Sequence, residues 1–499
     1  MPFSDQQSPT KLARLSSAGT TSSPLSRGQT SELRSSITVS LADLAAVPGS
    51  PVPHELVVQP DLRRILQGQR TSCWTIGGHG LVGFGRAAHV VVTGRDRFTA
   101  ARAWWEDLHT RLTVHDPLQR SATGPVAFGA FTFTDSSAAS SGLVVPELVV
   151  GHDDDGAWVT LVSPEPSVNL TAVLEAWERL IPALGPSPGV HKFGTAATHS
   201  PPQVVEDPAA ERTWCSAVAD GIGLITEGHL EKLVLARAVE VRSEPYPLDI
   251  SAALIRMATE YNTCWTYSVC VEDQDDPAVG RLFGATPERL VRVLNGQFHA
   301  RVLAGTLDRA ATPRHVDPTP WAHHTLMADA KQRAEHAFAV HSLLDSVAAY
   351  TDQVISAPDP FVLELPNVWH LASDVTARLS TGTDDSVVSA LELVEAIHPT
   401  AAVCGTPTQG AAQAIAQLEG MDRGLYAGPV GWVDSRHNGD FGIALRGGVQ
   451  RDHYTAEVYA GCGVVQASVP QEELAETYAK LRPVLSALGA QPHGEPAGD

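Results

Sequence analysis

The sequence predicts an α+β fold built largely from antiparallel strands, and three observations point there. Glycine and proline are frequent, at 41 and 35 of 499 residues, while charged residues make up only 18 %, which favours short strands and many turns over long exposed helices. Apolar runs in the first half are short and broken by turn residues, as in WTIGGHGLVGFGRAAHVVV and GPVAFGAFTF. Helical periodicity in the second half comes in separate blocks, without the regular βα alternation of a doubly wound sheet.

Along the chain, residues 1–36 are rich in Ser, Thr and Gln, with scattered Lys11, Arg14, Arg27 and Arg34. Such a segment lacks the apolar surface to order itself and reads as a disordered tail; residues 490–499 read likewise. Residues 37–195 form a strand-rich region, closing with helical periodicity at 166–184. The glycines of 77–85 carry neither GxGxxG before a helix nor a GK[ST] ending, so they read as turns and bulges of a sheet. The prolines of 184–212 mark a connection. Residues 196–489 then read as helix 212–228, an apolar strand at 232–242, helices 250–261, 323–350 and 385–397, strands 426–434, 440–449 and 453–460, and a last helix from about 469 to 487. In that helix Ser468 with Gln471 fits a capping box and Pro470 the first turn.

A net charge of −21 argues against nucleic acid, which needs clustered Lys and Arg. It permits a small anionic substrate, since a few cations or a bound Mg²⁺ can reverse the sign inside one pocket. Six cysteines without a CxxC pair predict reduced thiols in a cytoplasmic protein. No apolar run approaches the roughly 18 residues that span a bilayer, so no membrane partner is expected.

A set of ionisable residues in the second half carries the chemistry. Lys232 lies in HLEKLVLAR, beside Leu233, Val234, Leu235 and Ala236. It reads either as a surface lysine whose stem lies on apolar surface, or as a desolvated amine whose lowered pKa makes it a base. Glu288, after Thr286-Pro287, reads as a turn cap or as a carboxyl kept protonated in a dry pocket to act as an acid. Glu335 borders the apolar line Met327, Ala330, Ala334, Phe338, His341, Leu344 and Val347, and its neighbour one turn back, Lys331, also allows an ordinary ion pair. Glu473 and Glu476 share one face of the last helix near its positive end, with Lys480 one turn further. Two carboxylates at that spacing plus a third from another helix suit Mg²⁺, which binds through carboxylates, substrate oxygens and waters.

These residues occur together with LAGT at 303–306, VWHLAS at 368–373, HPTAAVCGTP at 398–407, GLYAGPVGWVD at 424–434, GIALRGG at 442–448 and YAGCGVV at 459–465. In that order, over roughly 205–487, the chain resembles the chorismate-utilising enzymes, which include the isochorismate and salicylate synthases and the synthase subunits for anthranilate and aminodeoxychorismate. The resemblance implies an anthranilate synthase component I-like fold and, for this chain, a Mg²⁺-dependent isomerase converting chorismate to isochorismate for menaquinone or siderophore biosynthesis. It implies that Lys232 activates water and Glu288 protonates the leaving C4 hydroxyl. Glu335 and Glu476 match the magnesium ligands, with Glu473 a nearby third. Tyr426, Arg446 and Lys480 match residues that hold carboxylates; Gly461 and Gly463 match a loop offering N–H groups to a carboxylate; Ala304, Gly305 and Thr306 match the pocket wall. Aminating relatives typically carry glutamine where Lys232 stands, and aminodeoxychorismate synthases often a nucleophilic lysine where Ala304 stands. No amidotransferase subunit is therefore expected, and relatives of this type are commonly monomers.

Two departures stand out: Ala330 where relatives commonly have an acidic residue, and VCGTP where some read SGFP or SGAP. The rival readings are a salicylate synthase, an aminating synthase, and a non-catalytic chorismate-binding paralogue. Product identity separates the first two. The third should lack an acid, base or metal position, and none is missing.

Overall fold

A computed structural model of the protein describes residues 25–26, 32–68, 70–181, 184, 201–207, 209–272, 276, 278–309, 312–356, 359–364, 368–380 and 387–490. Most of the tail expected at 1–36, all but one residue of that at 490–499, and much of the 184–212 connection lie outside these residues. Two strands run against the expected tail: Leu25–Ser26, paired with Val91 and Val92, lies within it, and Ser35–Ser40 begins within it.

Two large sheets dominate, of eleven and thirteen strands among the described residues. Nearly all pairings are antiparallel; strand Ser35–Ser40 against Thr113–His115 is parallel. Each sheet mixes strands from both ends of the chain. Val126–Ala130 pairs with Pro429–Asp434 in one, and Thr71–Ile76 pairs with Trp265–Val269 in the other. Large side chains including Trp158, Trp369, Tyr267, Phe128 and Phe441 are fully buried, each contributing about 1.5–3 kcal/mol of apolar burial.

The glycines of 77–85 do what a sheet asks of them. Gly77 and Gly78, both with positive φ, form the turn between strands Thr71–Ile76 and His79–Phe84. The apolar strand is Lys232–Arg242, held between Thr455–Val464 and the short Gly405–Thr406.

Two expected elements are divided in the structure. The helix expected at 323–350 is two helices, Pro318–Ala328 and Ala330–Val347. Asp329 breaks them with extended backbone and accepts from Gln332 N at 3.1 Å, starting the second helix as an N-cap does. After the break Phe338 of the expected line is exposed, His336 and Leu343 off that line are buried, and Val347 is buried as expected. The strand expected at 440–449 is also divided, into Gly439–Ile443 and Gly447–Gln450.

That second division is where the sheets meet. Gly439–Ile443 belongs to the eleven-stranded sheet and Gly447–Gln450 to the thirteen-stranded one, so residues 444–446 carry the chain across. A second crossing runs alongside: Arg281–Thr286 lies in the thirteen-stranded sheet, Arg289–Leu294 in the other, and Pro287-Glu288 joins them. The two bent ribbons pair on both sides of the bend, Gly284 with Gly447 and Arg289 with Gly442.

The last helix, Pro470–Leu488, starts on Pro470 and stops at Gly489, whose φ is +79°. The expected Ser468–Gln471 capping box does not form: the helix is capped at Val469 without a side-chain bond. Ser468 Oγ instead accepts from Val465 N at 3.0 Å, which closes the turn out of the preceding strand.

Candidate active site

A cavity of about 370 Å³ opens where the two crossings meet the last helix. Its walls include Lys232, Glu288, Ala304, Gly305, Tyr426, Arg446, Gly461, Gly463, Glu473, Glu476 and Lys480. The sequence places these residues on separate elements, and the fold gathers them around one space. The side chains of Thr306 and Glu335 lie outside the described residues; their backbones belong to strand Gln297–Asp308 and helix Ala330–Val347.

Lys232 is the first residue of its strand and is half-buried, between its two sequence-based readings. Gly463 makes room for it: a Cβ there would stand 3.1 Å from Lys232 Cε and 3.7 Å from Nζ. Glu288 sits at the bend between sheets and is 8 % exposed. Burial pushes its carboxyl up to about 7, with Lys232 and Lys480 pulling the other way. That is the environment in which a carboxylic acid keeps a proton to give. A second cavity, of about 270 Å³, shares Glu288 and Ala402 with the first.

Arg446 lies at the other crossing with φ +50°. Burial lowers its guanidinium, with Cys264, Tyr426 and Glu476 opposing; a cation always charged in proteins is thus held partly out of water, ready for an anion. Tyr426 is buried and stacks on Tyr459 at 5.0 Å, and burial raises its phenol to about 12, so it remains a hydrogen-bond donor.

Gly461 and Gly463 are not in a loop. They lie in strand Thr455–Val464, opposite Ala236 and Val234. The glycine-rich text disguises a regular antiparallel ladder. The pairing of this strand with Gly447–Gln450 ends at Val458 among the described residues, so from Tyr459 onward that edge lines the cavity. Lys480 Nζ donates to Gly461 O at 2.8 Å and meets Glu476 Oε1 at 2.5 Å.

The two helix carboxylates are tuned apart. Burial raises Glu473, and Glu476 adds to the rise against hydrogen bonds from Ser468 and Cys462. Burial would also raise Glu476, but Lys480, Arg446 and Lys232 outweigh it and hold it below the usual range. Among the described residues no three His, Cys, Asp or Glu side chains gather to hold a metal ion. Two oxygen donors on one helix face fit a cation that binds through one or two carboxylates and otherwise through substrate and water.

Two wall residues escaped the sequence reading. His370, inside VWHLAS, is buried and hydrogen-bonds the Gly305 carbonyl; burial, with Arg446 and Lys480, lowers it to about 3, so the ring is neutral. Gly305 itself has φ +87°, and a Cβ there would meet Gln332 Oε1 at 2.6 Å; it lies where the pairing with Val368–Leu379 shifts register, between Leu303 and Thr306. Arg423 is a buried buttress. It donates to Val403 O and Val234 O, both at 2.8 Å, and pairs with Glu419, whose Oε1 accepts from Ala236 N at 2.7 Å. Nothing in the local text MDRG marks it.

A family profile described as chorismate binding enzyme matches residues 68–489. The chain belongs to the chorismate-binding enzymes. Among members of this family, the isochorismate synthase DhbC of Bacillus subtilis is 34 % identical over 277 residues, covering 55 % of this chain and 67 % of that one. A putative isochorismate synthase MenF of Mycobacterium tuberculosis is 32 % identical over 374 residues, covering 74 % of this chain and 88 % of that one. The crystal structure of a putative 2,3-dihydroxybenzoate-specific isochorismate synthase, DhbC from Bacillus anthracis, superposes with a TM-score of 0.65 at 26 % identity, covering 85 % of this chain and 98 % of that one. The chorismate-binding fold therefore spans both sheets and encloses the cavity.

Proposed function

We propose that the protein is an isochorismate synthase, adding water at C2 of chorismate and releasing the C4 hydroxyl as water. The observation that carries this is one cavity lined by both Lys232 and a buried Glu288 whose carboxyl stays protonated up to about pH 7. Arg446, Tyr426 and the exposed edge at Gly461 and Gly463 receive the enolpyruvyl carboxylate. Glu476 and Glu335, with Glu473 as a third, are the residues to hold Mg²⁺, which when bound would neutralise the ring carboxylate.

In the reaction Lys232 Nζ accepts a proton from water as its oxygen bonds to C2. The ring double bonds shift, the C4–O bond breaks, and Glu288 gives its proton to the departing oxygen. Lys232 then holds one proton more and Glu288 one fewer, and exchange with solvent restores both. Each proton transfer contributes about 10² to 10⁴ in rate. Ala304 offers no nucleophile for a covalent adduct. Lys232, where aminating relatives carry glutamine, and Ala304, where some carry a nucleophilic lysine, support a reading without an amidotransferase subunit.

The test is incubation with chorismate and Mg²⁺ followed by chromatography of the product. Isochorismate is expected. Fluorescent salicylate, an ammonium-dependent amino product, or no turnover overturns the reading.

A further inference from the structure

Arg446 owes its place to a strained piece of backbone. A non-glycine residue at φ +50° costs free energy and persists only where its surroundings hold it. Backbone bonds hold it: Arg446 O accepts from Ala285 N at 3.1 Å, Leu445 N turns back onto Ile443 O at 2.8 Å, and Ala444 donates to Gly428 O at 2.8 Å and accepts from Ala427 N at 2.9 Å. One side chain joins them: the Tyr267 hydroxyl donates to Leu445 O at 2.9 Å.

Tyr267 is completely buried in the central strand Trp265–Val269, opposite Gly284 on one side and Trp74 on the other. Its hydroxyl occupies a slot between two glycines. A Cβ at Gly284 would lie 2.4 Å from Tyr267 Oη, and one at Gly447 would also lie 2.4 Å from it. Three features thus converge on one hydrogen bond: two glycines that clear its path, and a carbonyl inside the chain crossing. Tyr267 does not line the cavity, whereas Leu445 and Arg446 both do.

We infer that Tyr267 is a positioning residue for substrate binding: by holding the Leu445 carbonyl it fixes the left-handed turn that presents Arg446 to the cavity. This rests on the reading of Arg446 as a carboxylate-binding residue. A guanidinium recognises a carboxylate through a fixed fork, so a turn free to relax lowers affinity for the anion without removing the acid or the base.

The experiment is a double-mutant cycle of Tyr267→Phe and Arg446→Ala, reading KM and kcat for chorismate, with thermal unfolding of each variant. Tyr267→Phe removes one oxygen and is expected to raise KM about five- to tenfold, the worth of one hydrogen bond, with kcat changed less than about twofold. In the Arg446→Ala background the same change should leave KM unaltered, because the residue it acts through is gone. If Tyr267→Phe abolishes folding, or lowers the melting temperature with no rise in KM, or if its effect persists undiminished beside Arg446→Ala, the inference falls. If Arg446→Ala itself leaves KM unchanged, the underlying reading of Arg446 falls instead, and the two failures are told apart.

Discussion

Glu288 and Arg446 stand on neighbouring bends of the chain that hydrogen-bond to each other: Ile443 N donates to Glu288 O and Ala285 N to Arg446 O, each at 3.1 Å. The acid and the anion-binding cation are thus placed by the same feature, two antiparallel ribbons that leave one sheet and enter the other side by side. Backbone pairing on both flanks makes the bends rigid, which a site needs if its groups are to stay within a fraction of an ångström of working geometry.

The Glu288 carboxyl gives a pH signature. Its folded pKa of about 7 lies above the ordinary 4.5, so the folded state binds this proton more tightly than the unfolded state. The stability it contributes is complete below about pH 4.5 and is lost as pH rises through about 7, by up to about 3 kcal/mol. Relative to wild type, metal-free Glu288→Gln should therefore gain stability between pH 5 and 8 in chemical denaturation. The kcat/KM profile of the wild type, which reports groups of the free enzyme, should fall on the alkaline side with a midpoint near 7. A flat stability difference across that range contradicts the assignment.

Metal dependence is a separate prediction. Dialysis against EDTA should silence turnover, and added Mg²⁺ should restore it. Glu476→Gln should raise the half-restoring Mg²⁺ concentration by more than the roughly tenfold that a supporting residue costs. Calorimetric titration of Mg²⁺ gives the same comparison without turnover. Unchanged affinity in Glu476→Gln removes that residue from the site.

Gly463 sets the position of Lys232. In Gly463→Ala the new methyl would sit 3.1 Å from Lys232 Cε, tight enough to displace the amine by a few tenths of an ångström while the strand persists. Small misplacements at a reacting centre are expensive, so kcat should drop about tenfold with melting temperature little altered. Steady-state kinetics with a melting curve checks this.

Much of the architecture could be read from residues alone, and the exceptions have physical causes. Lys232–Arg242 and the last helix show strong local pattern, and the structure agrees with both to within a residue or two. The break at Asp329 and the crossing at 444–446 escaped because an aspartate inside a helical run and a left-handed arginine ahead of two glycines look ordinary in one dimension. Gly461 and Gly463 read as a loop because their pairing partner lies more than 200 residues away, opposite Ala236 and Val234. His370, Arg423 and Tyr267 have no motif around them that names a role. Each acts through a backbone carbonyl supplied by another segment, and such contacts exist only after folding.

The most direct test of the central claim is kcat for folded Lys232→Ala and Glu288→Gln, measured by isochorismate formation under saturating chorismate and Mg²⁺. Each variant should lose about 10² to 10⁴ in kcat while circular dichroism matches the wild type. Retention of more than about a tenth of wild-type turnover by either variant, far above what loss of an acid or base leaves, contradicts a paired base and acid at the heart of this cavity.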